Sequence, residues 1–203
     1  LGGYRPTFNK FVLKIIPDEG EGGKEMAILI GDTETTGLKP GYIAQLSCIR
    51  LDGGKATGFN AWFKVKSIED GAAKANGLSV ALLDELSGGK EFYDRLDDIL
   101  ALYDGVTDFY GYNTNFDRTF IETEFKRCSL PPPNLAFQDV MLTAKAKMGV
   151  KKNYKLHDAL EYFGLSDKVF PLAQKIFGAV ESLHDARYDA TATLLLARKL
   201  DML

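Results

Sequence analysis

Cysteine, histidine and tryptophan are scarce in this chain: two, two and one in 203 residues. Cys48 and Cys128 alone cannot build the framework of a disulfide-rich secreted domain, and no Cys/His spacing suits a structural zinc site. Reduced thiols in a cytoplasmic protein are the expectation. No apolar run approaches the ~20 residues of a membrane span and no secretory leader is visible, so no membrane partner is expected. Positive charge is not in excess either. Lys and Arg total 25 against 28 Asp and Glu, for a net charge of −3. That balance argues against tight, non-specific duplex binding driven by phosphate neutralisation. The glycines between positions 31 and 37 lack the Gly-Lys-Ser/Thr ending of a phosphate-binding loop, so they do not point to ATP. No internal repeat is visible.

The chain is long enough for one well-cored domain, and its apolar content of 45% is ordinary for one. Residues 1–24 stand apart as an N-terminal extension and linker. Phe8, Phe11, Val12, Leu13, Ile15 and Ile16 suit a short strand, and Pro17 to Lys24 reads as a connector. The main domain is expected over 25–203. Its periodicity predicts strands at Met26–Asp32, Ile43–Leu51 and Gly58–Val65, with hairpin chemistry at Asp52-Gly53-Gly54. Helices are expected at Val80–Leu86 and Glu91–Tyr103. A strand at Val106–Tyr110 and a helix at Asn115–Arg127 follow, the helix being broken by Pro131-Pro132-Pro133. A short strand near Leu135–Gln138 precedes helices at Val140–Met148, Leu156–Phe163 and Asp185–Leu200. An antiparallel meander followed by alternating helix and strand predicts an α/β fold with a mixed sheet between helices.

The densest chemistry sits in Gly31-Asp32-Thr33-Glu34-Thr35-Thr36-Gly37-Leu38. It follows the apolar strand Met26–Ile30. Side chains two apart on a strand share a face, so Asp32 and Glu34 project together from the strand's end. Two carboxylates that close repel unless a proton or a cation intervenes, and oxygen donors suit a hard divalent metal. Two more segments supply carboxylates. In Tyr112-Asn113-Thr114-Asn115-Phe116-Asp117, Asp117 falls in the first turn of a helix, where the dipole favours an anion. In His184-Asp185-Ala186-Arg187-Tyr188-Asp189-Ala190, His184 and Asp189 lie five apart. They converge only if His184 precedes the helix that holds Asp189.

Together the three segments resemble the motifs of the DEDDh family of 3′-to-5′ exonucleases, which includes the proofreading epsilon subunit of bacterial DNA polymerase III. The first motif is present letter for letter as DTETTGL. The second has Tyr112 in place of its usual leading His, and the third matches at His184, Ala186, Asp189 and Ala190. The match runs from about Met26 to Leu203. The resemblance implies a ribonuclease H-like sheet, a three-stranded antiparallel meander plus parallel strands. It also implies two Mg²⁺ or Mn²⁺ ions held by Asp32, Glu34, Asp117 and Asp189, with His184 as general base. Thr35, Thr36, Gly37 and Leu38 would cradle the terminal nucleotide, with Asn76, Asn113 and Phe116 beside it. Asp139 would support the site from behind, or act simply as a helix N-cap.

Lys145, Lys147, Lys151, Lys152 and Lys155 form the one dense basic run. Lys151, Lys152 and Lys155 are candidates for phosphate contacts, against the plainer reading of a solvated helix end. His157, in an apolar-patterned helix, is expected to be structural or surface, and Asp185 a helix cap. The partner implied is a single-stranded nucleic-acid 3′ end, with a polymerase or replication protein as a further partner. DNA is the first substrate expected. An RNA-trimming exoribonuclease similar to RNase T or oligoribonuclease is the alternative, and a non-catalytic nucleic-acid-binding module a third reading.

Overall fold

A computed structural model describes residues 9–14 (by their backbone), 26–38, 41–152, 154–178, 180 and 185–203. Six strands form one sheet: β1 (Asn9–Lys14), β2 (Ala27–Thr35), β3 (Ile43–Asp52), β4 (Lys55–Trp62), β5 (Val106–Gly111) and β6 (Ala136–Asp139). Their spatial order is β1-β4-β3-β2-β5-β6. β2, β3 and β4 make the antiparallel meander, while β5 pairs parallel with β2 and β6 parallel with β5. The short strand expected near the start of the chain is β1, which lines the edge of β4. Asp52 pairs with Lys55 across a two-residue turn in which Gly53 and Gly54 both adopt positive φ, 52° and 71°. That conformation matches the twist of the flanking strands and requires residues without a Cβ penalty.

The helices are α1 (Asp70–Asn76), α2 (Val80–Ser87), α3 (Leu96–Tyr103), α4 (Thr114–Arg127), α5 (Val140–Met148), α6 (Leu156–Tyr162), α7 (Ser166–Phe177) and α8 (Ala186–Lys199). A 3₁₀ turn at Tyr93–Arg95 opens the stretch predicted as one helix from Glu91. Helices α3 and α4 cover one face of the sheet, packing Ile99, Leu102, Phe120, Ile121 and Phe125 on Leu29, Leu46, Cys48 and Phe109. On the other face α7 and α8 bring Ile176 and Leu194 onto Ile30, Ile49 and Leu51. The alternation of β2 is thus legible residue by residue: Leu29 faces α4 and Ile30 faces α8. Gly31 faces Phe109 and Cys48, where a Cβ would fall 2.6 Å from the Phe109 ring and 2.8 Å from Cys48 Sγ. No other residue type fits there without displacing the ring.

Three sequence expectations are corrected. β2 continues to Thr35, because its pairing with β3 persists past Asp32, so Asp32 and Glu34 lie within the strand rather than at its end. β4 runs from Lys55, not Gly58, since the tight turn lets pairing begin at once. Helices α1 and α7 were not expected. Pro171 inside α7 argues against a helix by sequence, yet it sits on the exposed side while Val169, Ala173 and Ile176 are buried.

Candidate active site

Continuing along β2, the face toward α8 changes from apolar to polar. Beyond Ile30 it presents Asp32 and Glu34, which pair in register with Ser47 and Gln45 of β3. Helix α8 crosses this face and supplies Asp189 from its first turn. One carboxylate oxygen from each of Asp32, Glu34 and Asp189 lies within 4.8 Å of the others. Asp117, in the first turn of α4, is buried and accepts a hydrogen bond of 2.8 Å from Thr33 Oγ1. It stands beside the three-carboxylate set rather than in it. Thr33 is the intervening residue on β2, so one strand aims acceptors at one helix and a donor at the other.

The electrostatics show what this costs without a cation. Burial, then the charges of Asp117, Asp189 and Glu34, push the Asp32 carboxyl well above the ordinary carboxylate range. Burial and Asp189 raise Glu34 to about 8, against a hydrogen bond from Asn76 that lowers it. Burial raises Asp117 to about 7, opposed by the Thr33 hydroxyl. Burial and the charge of Asp185 raise Asp189 to about 7. A donor set of convergent, mutually repelling carboxylates fits a hard divalent cation, which would restore their ionised forms.

These shifts predict a pH dependence. A carboxyl raised in the folded state contributes stability that is full below its unfolded pKa and lost as pH rises through the folded pKa. The window here runs from about pH 4 to about pH 8, bounded above by the value of Glu34. In EDTA, wild type and Asp32→Asn should melt at similar temperatures near the acid end. The variant should melt higher near the alkaline end, because it has one fewer repelling charge. Parallel melting curves across the whole window would remove the repulsion argument.

The supporting residues form a buried network that sequence reasoning missed. Gln45 Nε2 donates to Asp185 Oδ1 (2.9 Å) and to Asn60 Oδ1 (2.8 Å), and Gln45 Oε1 accepts from the Ala186 N–H (3.1 Å). Ser47 Oγ donates to Asn60 Oδ1 at 2.6 Å. Asp185 is the N-cap of α8, as expected; it accepts from the Arg187 N–H and pairs with the Arg187 guanidinium. The network ties the start of α8 to β3, and with it the position of Asp189. The signal available in sequence was three polar residues on predicted core strands.

The remaining expected residues fall as follows. Thr35 and Thr36 are buried; the Thr35 hydroxyl donates to Gly37 O, and the Thr36 hydroxyl accepts from the Tyr42 N–H. Gly37 lies under the Glu69 carboxyl, which would collide with an added Cβ. Leu38 is 74% exposed, three residues beyond the end of β2. Asn76 donates to Thr35 O (3.2 Å) and its Oδ1 accepts from the Leu78 N–H (3.1 Å). Asn113 adopts φ 67° before α4, and its N–H donates to Asp139 Oδ1 (3.1 Å). The same oxygen caps α5 by accepting from the Met141 N–H, so Asp139 is an N-cap that also braces the turn before Asp117. Phe116 packs on Phe120 at the rim of the core. Tyr112, in the usual His position, donates to Tyr154 O (2.8 Å) and holds the loop carrying Lys155 against the second motif. Lys147, Lys151, Lys152 and Lys155 are exposed, as is His157, and Lys145 is partly buried. His184 lies outside the described residues. The position it occupies in the chain immediately precedes the Asp185 cap.

A mixed sheet of this order, with an acidic cluster where β2 meets α8, has the ribonuclease H-like exonuclease fold. The RNase T family model, described as exonuclease, matches residues 29–197, and the chain belongs to that family of DEDDh exonucleases. Among solved structures, Exonuclease I from Methylocaldum szegediense superposes with TM-score 0.68 at 19% identity over 87% of this chain and 40% of that one. E. coli Exonuclease I in complex with a 5cy-dA13 oligonucleotide gives TM-score 0.68 at 19% identity, covering 88% and 41%. The same enzyme with a dA16 oligonucleotide gives 0.65 at 19%, again covering 88% and 41%. The chain therefore spans about two-fifths of the length of these neighbours. These three are Exonuclease I chains, not polymerase subunits. No curated protein sequence matches the chain. The chain is an exonuclease domain whose acidic cluster suits a divalent metal. Among the described residues no helix is long and apolar enough to cross a membrane.

Proposed function

We propose that this domain hydrolyses the terminal phosphodiester bond at 3′ ends of single-stranded DNA, releasing nucleoside monophosphates, in proofreading or repair. The observation that carries the reading is the convergence of Asp32, Glu34 and Asp189 in a member of this family. Asp32, Glu34 and Asp189, with Asp117 beside them, are the residues that would hold the ions. Bound magnesium or manganese supplies an acidified water and stabilises the departing 3′ oxygen. His184 takes the proton from the attacking water, a role suited to a group titrating near neutrality. Leu38 and Phe116 flank the terminal base, and the network behind Gln45 holds α8 in place during turnover. Deoxyoligonucleotides bound by the Exonuclease I neighbours support DNA over RNA as the first substrate.

The test is digestion of end-labelled single-stranded DNA and RNA with Mg²⁺, Mn²⁺ or EDTA. Mononucleotide release from DNA 3′ ends that stops in EDTA is expected. Undiminished activity in EDTA would overturn the metal reading, and exclusive cleavage of RNA would overturn the substrate.

Lys151 and Lys152 are proposed to bind the strand's phosphates, because Tyr112 anchors their loop to the second motif. A Lys151→Ala/Lys152→Ala variant should raise KM more than it lowers kcat. Its log–log salt slope should fall by roughly 0.7 for each single-strand phosphate that is no longer neutralised. An unchanged KM and slope would leave these lysines as ordinary surface.

A further inference from the structure

Helix α1 is fixed by its ends. None of its residues is buried, so core packing does not hold it. The Glu69 N–H, at the N-cap, donates to Thr36 O (2.8 Å), and Asn76 Nδ2, at the last residue, donates to Thr35 O (3.2 Å). Both acceptors follow Glu34 directly along the chain. The Glu69 carboxyl thereby comes to lie over Gly37, where it would collide with an added Cβ. This carboxylate does not cap its own helix, and it makes no hydrogen bond or ion pair among the described residues. An unpaired carboxylate is thus placed over a residue three positions past Glu34, within about 10 Å of extended chain from the acidic site. Beside a substrate made of phosphates such a charge is costly, unless the repulsion serves selection.

The sheet order indicates which part of the strand meets it. β2, with the acidic pair, lies between β3 and β5. The exposed Lys151, Lys152 and Lys155 belong to the β5 side, because Tyr112, the residue after β5, holds their loop. α1 leads to the opposite side, where the following Leu78 and Leu83 pack with Ala44 of β3 and Trp62 of β4. Upstream phosphates are many and call for the basic run. The single nucleotide past the scissile bond is then left to the α1 side, and its sugar ends against Glu69. A carboxylate is an acceptor only, and the donor at that end of the sugar is the 3′ hydroxyl. A 3′-phosphate would instead set like charges against each other. We infer that Glu69 is a specificity-determining residue: it accepts a hydrogen bond from the free 3′ hydroxyl of the terminal nucleotide and repels a strand ending in a 3′-phosphate. The inference rests on the proposed function for its substrate.

The test uses the full chain and 5′-labelled oligo-dT of about twelve nucleotides, ending in a 3′ hydroxyl, a 3′-phosphate or a 3′ hydrogen. Wild type, Glu69→Gln and Glu69→Ala are compared, with Asp70→Asn, an exposed carboxylate one residue on, as the control. Glu69 is exposed, and equal melting temperatures check that the fold is kept. In wild type kcat/KM should be highest for the hydroxyl end. Both Glu69 variants should raise kcat/KM on the phosphate end about five- to tenfold, the scale of a screened contact between like charges. Glu69→Ala should also narrow the advantage of the hydroxyl end over the hydrogen end. Asp70→Asn should keep the wild-type pattern. A hydroxyl-to-phosphate ratio unchanged in both Glu69 variants, with digestion intact, would overturn the inference and leave the proposed function standing. An equal change in Asp70→Asn would also overturn it, since the effect would then be one of net charge. If wild type digests no strand, the proposed function fails by itself. Equilibrium binding of the hydroxyl- and phosphate-ended strands in Ca²⁺ then decides the role of Glu69. A preference for the hydroxyl end that Glu69→Gln removes supports it, and equal binding, or none, overturns it.

Discussion

Asp32→Ala should lower turnover by about a thousandfold or more, equivalent to ~4 kcal/mol of transition-state stabilisation. Asp32 is the residue whose carboxyl feels Asp117, Asp189 and Glu34 together, so it sits at the electrostatic centre of the cluster. Removing it deprives the proposed ions of a ligand. The folded protein should not suffer, because an apo site loses a repelling charge rather than a partner. The two readouts therefore move in opposite directions: activity falls while the melting temperature in EDTA holds or rises. Single-turnover digestion of labelled single-stranded DNA measures the first and thermal unfolding the second. A variant retaining near wild-type turnover would show that the acidic cluster is not the reaction centre. A variant that is inactive because it is unfolded would show that the cluster is structural.

His184→Ala is the second large effect. General-base loss costs about a hundredfold to ten-thousandfold, and the fall should appear in kcat with little change in KM. Metal affinity should be close to wild type, because His184 is assigned to the water and not to an ion. The acid limb of the kcat profile should be altered in the variant, since a proton acceptor titrating near neutrality has gone. His157→Ala, on the exposed side of α6, is the control and should be nearly silent. Loss of metal binding in His184→Ala as large as in Asp189→Ala would make the histidine a ligand instead.

Local pattern and motif spacing were enough to read the chemistry at Asp32, Glu34 and Asp189. Period-two alternation puts Asp32 and Glu34 on one face wherever the strand lies, and helix periodicity puts Asp189 in a first turn. The same logic located β5, α4, α5 and α8 to within a residue or two, because their ends are marked by glycine, proline or a capping acid. α1 and α7 were illegible for opposite reasons. α1 has no buried residue to mark its face, and α7 has a periodic face interrupted by Pro171.

By itself the sequence determined which residues carry the candidate carboxylates and which elements hold them, since both depend on neighbours close along the chain. Only the tertiary structure decided how they meet. Asp32 and Asp189 are brought together because α8 crosses β2, a contact no local preference encodes. The pairing of Thr33 with Asp117 and of Gln45 with Asp185 spans 84 and 140 residues. A polar residue on a core strand shows in sequence only that a partner is needed, because a buried donor or acceptor must be satisfied. Which partner serves it depends on the sheet order, and that is set by the packing of both helical layers at once.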